Sequence, residues 1–279
     1  LMTTRPAAVA GYFYDANASR LQHHVNELLK AESALPDPLP KALIVPHAGY
    51  IYSGSTAAYA FRCLLTDPDQ VKRVLLIGPA HRVYVDGMAI PSVDCFATPL
   101  GDIPLDREAL DQIEDLPGVQ VSDEAHREEH SLEVQLPFLQ AVLNQFKLIP
   151  VVVGGASAGE VAAVIDALVD DPHTLLVISS DLSHFLSYPE AQRVDASTCD
   201  YILQKSTSLK GEQACGARAI NGLMASAKCR ALKVKLLHAC NSGDTAGDQN
   251  RVGGYAAFAL QESRQGRATD LTRYRASID

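Results

Sequence analysis

The sequence has no run rich in lysine and arginine, no closely spaced cysteine pair and no long apolar stretch, and each absence removes a class of function. Phosphate backbones are held by clustered cations, so a chain of formal net charge −9 without such a cluster is not expected to bind nucleic acid. A small molecule or a peptide is the partner that this composition suits. The six cysteines (Cys63, Cys95, Cys199, Cys215, Cys229 and Cys240) are scattered, with no C-x-x-C pair and none of the density of a disulfide-stapled secreted domain, so reduced thiols in a cytoplasmic setting are expected. No apolar run reaches the ~18 residues that a membrane span requires, and no span is expected. The first residues lead into a short mixed stretch at 7–14 without a basic patch and apolar core, so no signal peptide is expected either.

What is present is an ordinary globular balance, 47% hydrophobic and 20% charged over 279 residues, enough to bury a sizeable core. Short β-branched runs at 42–45, 74–77, 148–153 and 175–179 read as strands buried on both faces. Between them, residues 53–65, 131–146, 157–169 and 189–204 carry apolar side chains at helical spacing, the first three opened by a serine that suits an N-cap. Further strands are expected at 88–90 and at 253–260, the latter antiparallel at the end of the sheet. Alternating strand and helix predicts an α/β fold with a mixed, mostly parallel central sheet flanked by helices. The Pro-rich segment 32–40 lies too near the start to divide the chain, so a single domain over 5–262 is expected, followed by a polar C-terminal tail at 263–279.

In open α/β sheets, ligands bind beyond the carboxyl ends of the strands. Three histidines sit there: His47 in Pro46-His47-Ala48-Gly49-Tyr50, His81 in Gly78-Pro79-Ala80-His81, and His184 in Ser180-Asp181-Leu182-Ser183-His184. One loop histidine is usually structural, but three in equivalent places point to a shared crevice. Neutral imidazoles bind iron, copper, zinc and nickel, and two of them with one anionic ligand leave positions open for substrate. Asp181, Glu129, Glu133 or a metal-deprotonated cysteine could supply the anion, and spacing does not choose among them. His130 opens an amphipathic segment, where capping with a salt link to Glu133 competes with a place in the pocket. Tyr50 and Tyr52 are expected to line the pocket, with core packing as the plainer alternative. There is no H-E-x-x-H zinc-hydrolase signature, and residues 243–248, which lack the phosphate-binding lysine, read as a turn.

Five strings occur in an order that resembles the MEMO family, whose bacterial and archaeal members are labelled component B of the AmmeMemoRadiSam system: Pro46-His47-Ala48-Gly49-Tyr50 with Tyr52-Ser53-Gly54; Gly78-Pro79-Ala80-His81; Glu129-His130-Ser131-Leu132-Glu133-Val134-Gln135-Leu136-Pro137; Ser179-Ser180-Asp181-Leu182-Ser183-His184; and Asn241-Ser242-Gly243-Asp244 with Gly254-Tyr255-Ala256. Ala10-Gly11-Tyr12-Phe13-Tyr14 extends the likeness toward the start. The resemblance implies a fold similar to class III extradiol ring-cleaving dioxygenases, which hold iron(II) with two histidines and a carboxylate. It puts a cysteine, here Cys215, in the carboxylate's place, making His47, His81 and Cys215 the implied metal ligands. His184 then matches the acid/base histidine of the dioxygenases, with Asp181 beside it. The chain departs from the family pattern at Ala219, where proline is usual, which bears on the shape of the Cys215 loop.

The expectation is therefore a metal-dependent redox enzyme using iron(II), with copper or zinc as competitors for a thiolate-containing site. A radical-SAM enzyme is the implied functional neighbour. A non-catalytic module that binds a peptide or small ligand in the same pocket is the alternative.

Overall fold

The computed structural model describes residues 2–30 and 38–263, so the expected tail at 263–279 lies, except for residue 263, outside the described residues, as does most of the Pro-rich segment. In chain order the elements are β1 (Thr4–Arg5), α1 (Ala18–Leu29), β2 (Ala42–Val45), α2 (Ser55–Phe61), β3 (Arg73–Pro79), β4 (Met88–Ile90), β5 (Cys95–Thr98), β6 (Gly101–Pro104), α3 (Arg107–Ile113) and β7 (Val119–Val121). There follow α4 (Asp123–Arg127), α5 (His130–Glu133), α6 (Leu136–Val142), β8 (Lys147–Val153), α7 (Ala158–Leu168), β9 (Thr174–Ser179), β10 (His184–Leu186), α8 (Tyr188–Leu203), α9 (Ala217–Ala225), β11 (Lys233–Asn241) and β12 (Val252–Gln261).

Nine of these strands form one sheet, in the order β10-β12-β2-β9-β3-β8-β4-β7 with β11 also paired to β12. Its centre, β2-β9-β3-β8, is parallel, and the strands are buried along nearly their whole length, as continuous runs such as Ala42-Leu43-Ile44-Val45 require. Pro150, which cannot donate to a ladder, lies in β8 before Val152 and Val153, where β4 pairs. The mixed architecture is as expected, with one correction. The strand at 252–261 is not at the end of the sheet but inside it, antiparallel to β2 on one side and to β10 and β11 on the other. β11, with alternating exposure and three lysine or histidine residues, lacked the continuous apolar run that marked its neighbours.

Helices flank the sheet in two groups: α1, α2 and α6 pack on one another, and α3, α7 and α9 form a second set that reaches β3 and β9. Helix α7 starts as its sequence predicts, with Ser157 capping Glu160 N–H while the Glu160 carboxylate returns to the Ser157 N–H. Ser53 and Ser131 are not caps. Their hydroxyls donate to the carbonyls of Ala48 at 3.3 Å and Pro79 at 2.8 Å, because each serine lies inside a turn rather than ahead of it. The expected long helix at 131–146 is broken into α5 and α6, with Pro137 in the first turn of the second. The interior between these helices and the sheet is aromatic and aliphatic, with Phe61 stacked on Phe138 at 5.0 Å.

No described helix is long and apolar enough to cross a membrane.

Candidate metal centre

Strand order explains how residues far apart in sequence meet. β9 lies between β2 and β3, so the loops that leave these three parallel strands at their carboxyl ends are neighbours. His47 leaves β2, His81 leaves β3, and Ser179 and Asp181 come from between them. Segment α5 crosses the end of β3 so closely that a Cβ on Gly78 would stand 2.8 Å from Leu132, and this brings His130 and Glu129 to the same place. The ligand-capable atoms of His47, His81 and His130 all lie within 4.8 Å of one another. Their ring centroids are 5.1 Å apart for His47 and His81, 5.4 Å for His47 and His130, and 4.6 Å for His81 and His130.

The proton on His47 is placed by its surroundings. Ser179 Oγ donates its only proton to the Ser131 carbonyl at 2.7 Å and accepts from Gln135 Nε2 at 3.1 Å, so its contact with His47 Nδ1 at 2.8 Å has the imidazole N–H as donor. Nε2 of His47 is then the lone-pair nitrogen. Burial drives the imidazole's pKa down to about 4, outweighing the attraction of Asp181, so the ring is neutral at ordinary pH.

His81 is arranged the same way by a carboxylate. Its Nδ1 lies 2.8 Å from Glu129 Oε2, and its backbone N–H donates to Glu129 Oε1. Burial would raise the Glu129 pKa, but the hydrogen bond and attraction of His81 and the N–H groups of Ser131 and His81 bring it down to about 2. An ionised Glu129 accepts only, so Nδ1 of His81 carries a proton, and in the neutral ring the lone pair falls on Nε2. Glu129, one of the candidates for an anionic ligand, thus serves His81 as a hydrogen-bond partner. Glu133, another candidate, is buried and accepts from Arg5 at 2.7 Å, Ala8 N–H at 2.7 Å, Val9 N–H at 2.9 Å and Tyr14 hydroxyl at 2.7 Å. His130 accordingly has its carboxylate neighbour in Glu129, at 3.6 Å, and not in Glu133. Its other face meets Phe13, with ring centroids 4.5 Å apart.

Cys215 approaches from the loop before α9, with Sγ 3.2 Å from His47 Nε2, and it lies outside the three-histidine cluster. The Asp181 backbone N–H donates to its sulfur at 3.4 Å. Burial, and then the charge of Asp181, push the thiol up to about 12 in the metal-free protein. Ala219, the departure from the family pattern, falls in the first turn of α9, not in the loop itself.

His184 does not join the cluster. It stands 39% exposed at the rim with Nε2 3.6 Å from Asp181 Oδ2, and that carboxylate raises its pKa. Asp181 is buried, accepts the His47 backbone N–H at 2.8 Å and lies 3.7 Å from His47 Nε2. Tyr50 is a core residue: its hydroxyl donates to the Val134 carbonyl at 2.6 Å, and its ring packs against Tyr14 and Phe138. Tyr52 is half-buried, and its carbonyl accepts from Thr245 Oγ1 at 2.9 Å. Sequence reasoning missed Ser179 and Gln135 as the groups that orient His47. No spacing marks a serine at a strand end or a glutamine between two helices for that task.

The family model described as "Memo-like protein" matches residues 5–259. The chain belongs to the MEMO family. MEMO1 family proteins of Aquifex aeolicus and Thermoplasma acidophilum are each 34% identical to it, over 266 and 268 residues, covering 91% of this chain in both cases and 98% and 97% of the relatives. A MEMO1 family protein of Archaeoglobus fulgidus is 34% identical over 273 residues, 92% of this chain and 99% of its own. Among solved structures, the uncharacterized protein JW3007 of Escherichia coli K12 aligns with a TM-score of 0.49 at 12% identity, over 79% of this chain and 99% of that one. The MEMO resemblance drawn from the ordered motifs therefore holds over nearly the whole matched length.

Proposed function

We propose that this MEMO family protein is a metal-dependent redox enzyme whose ion is held by His47 and His81, with Cys215 as the anionic third ligand. The observation that carries the reading is a pair of oriented imidazoles: Ser179 and Glu129 each hold an Nδ1 proton, so that in the neutral rings of His47 and His81 the lone pairs fall on Nε2. Three histidine rings in contact, with burial shifting His47 and His130 toward the neutral form, suit a cation. The donor set fits iron(II) as the preferred ion, with copper or zinc as competitors. Bound there, iron(II) would supply Lewis acidity and one-electron redox chemistry.

The chain's own residues supply orientation and protons. Asp181 raises the pKa of His184 at a rim position open to water, which favours its protonated form and suits it to deliver a proton inward and recover one from solvent. His130 stacks on His81, with ring centroids 4.6 Å apart, and Tyr52 belongs to the pocket's edge. Substrate is a small molecule or peptide, and a radical-SAM enzyme is the proposed functional neighbour. All six cysteines are free, which supports a reducing, cytoplasmic setting. A three-histidine set with His130 in place of Cys215 is a second reading, favoured by the 4.8 Å cluster.

The test is metal analysis of untagged protein purified anaerobically, alongside His47→Ala, His81→Ala, Cys215→Ala and His130→Ala. Near-stoichiometric iron lost in the first three variants and kept in the fourth is the expected result. Loss with His130→Ala but not Cys215→Ala selects the three-histidine set, and a wild-type protein that takes up no iron, copper or zinc overturns the metal reading.

A further inference from the structure

We propose that the cavity beside Cys215 is a pocket for an anionic, partly apolar small molecule, with Arg218 and Lys210 reading its negative charge. This names the substrate class for the site proposed above and rests on that reading for the reaction, though not for binding.

The cavity has a volume of about 720 Å³ and opens between the loop after β3, the end of β8 and the segment that carries Cys215. That volume lies in the range of small-molecule sites, roughly 300–1,000 Å³. Its walls are polar and apolar in about equal measure, the apolar part coming from residues such as Val83, Val85, Val153 and Leu209. Among the described residues, the charged side chains lining it are Lys210 and Arg218, with no carboxylate to oppose them, in a chain whose net charge is −9. A cationic substrate would meet two like charges there, and a neutral one would leave them unused.

Both cations are held in place by the backbone around them. Asn221 is buried and clamps Leu209 on both sides, accepting its N–H at 2.8 Å and donating to its carbonyl at 3.0 Å, which fixes the position from which Lys210 departs. Arg218, in the first turn of α9 and three residues after Cys215, donates from Nη1 to the Ala156 carbonyl at 3.0 Å. That anchor steadies the guanidinium and leaves Nε and Nη2 without an acceptor among the described residues, a fork suited to a carboxylate. The charge-reading groups and the proposed metal ligand thus border one space, so an anion held by Arg218 would place its remaining atoms beside Cys215.

The probe pair is 4-phenylbutyrate and its neutral counterpart 4-phenylbutanamide, titrated calorimetrically into the full-length protein, both chelator-stripped and zinc-loaded. The carboxylate is expected to bind at least ~10-fold more tightly than the amide. An Arg218→Gln, Lys210→Gln double variant should abolish that preference while leaving the amide affinity and the thermal midpoint nearly unchanged, since both side chains are exposed. Equal affinities, no binding of either probe, or a preference that survives the double substitution overturns the proposal. A carboxylate preference in stripped protein that takes up no metal would sink the metal reading and leave this one standing.

Discussion

Nδ1 of His47 and Oγ of Ser179, 2.8 Å apart, settle between them which nitrogen of the histidine faces the candidate site, because the serine's own proton is already committed to Ser131. Ser179→Ala removes that constraint and leaves Nδ1–H buried without its partner. Metal affinity should fall roughly 10–100-fold, as with other lost partners of ligating histidines. Stability should fall by about 1–3 kcal/mol. Competitive titration against a chromophoric chelator reads the first, and urea unfolding the second. Unchanged affinity would mean that the tautomer is set by something else.

Glu133 was open to a ligand role until the structure showed its carboxylate taking four hydrogen bonds from Arg5, Ala8, Val9 and Tyr14. Glu133→Gln leaves the buried Arg5 guanidinium uncompensated, for which about 3–5 kcal/mol of destabilisation is expected. Metal bound per folded molecule should stay at the wild-type level. Loss of metal from protein that remains folded would return Glu133 to the site.

Gly216 sits where a Cβ would stand 2.6 Å from the Ser179 carbonyl oxygen and equally close to Ser180 Cβ. The strand-end carbonyl of Ser179 and the Cβ of Ser180 cannot both yield, so Gly216→Ala must displace the loop that presents Cys215. About 1–3 kcal/mol of stability should be lost to overpacking. Cobalt(II)-loaded protein should also lose intensity in its near-ultraviolet thiolate charge-transfer band. A wild-type cobalt protein without that band would show that Cys215 does not reach the ion, and a band left unaltered by Gly216→Ala would show that the loop keeps its thiolate in place.

His126 is fully buried, with Nε2 2.8 Å from the Ala89 carbonyl, and burial lowers its pKa from 6.5 to about 4. Between those values the unfolded chain binds the proton and the folded chain does not, so stability is complete above pH 6.5 and drains away as pH falls toward 4. The loss for such a group is on the order of 3 kcal/mol. His126→Gln should therefore be less stable than wild type at neutral pH, with the gap narrowing by about that amount at pH near 4.5. A gap that stays constant across urea titrations at several pH values would refute the assignment.

Much of the fold was legible in the chain. Continuous apolar runs such as Leu175-Leu176-Val177-Ile178 can be satisfied only between two neighbours in a sheet, and the Ser157–Glu160 pair marks a helix start by local hydrogen bonding alone. β11 was missed because an edge strand with one wet face carries no such run. At the site, His47 and His81 could be singled out by their distance from strand ends, since loops there are where α/β sheets hold ligands.

The sequence by itself determined the central strands, the α/β class, the MEMO family and the two histidines, because each is written in local pattern or ordered motif. Only the tertiary structure decided the rest. It inserted β9 between β2 and β3, which set Ser179 and Asp181 between the two histidines; it drew His130 into the cluster and left His184 at the rim; it gave Glu129 to His81 and Glu133 to Arg5. The physical reason is that a buried polar group takes whichever partner the packing brings within about 3 Å, and strand order, which no local spacing encodes, governs who arrives.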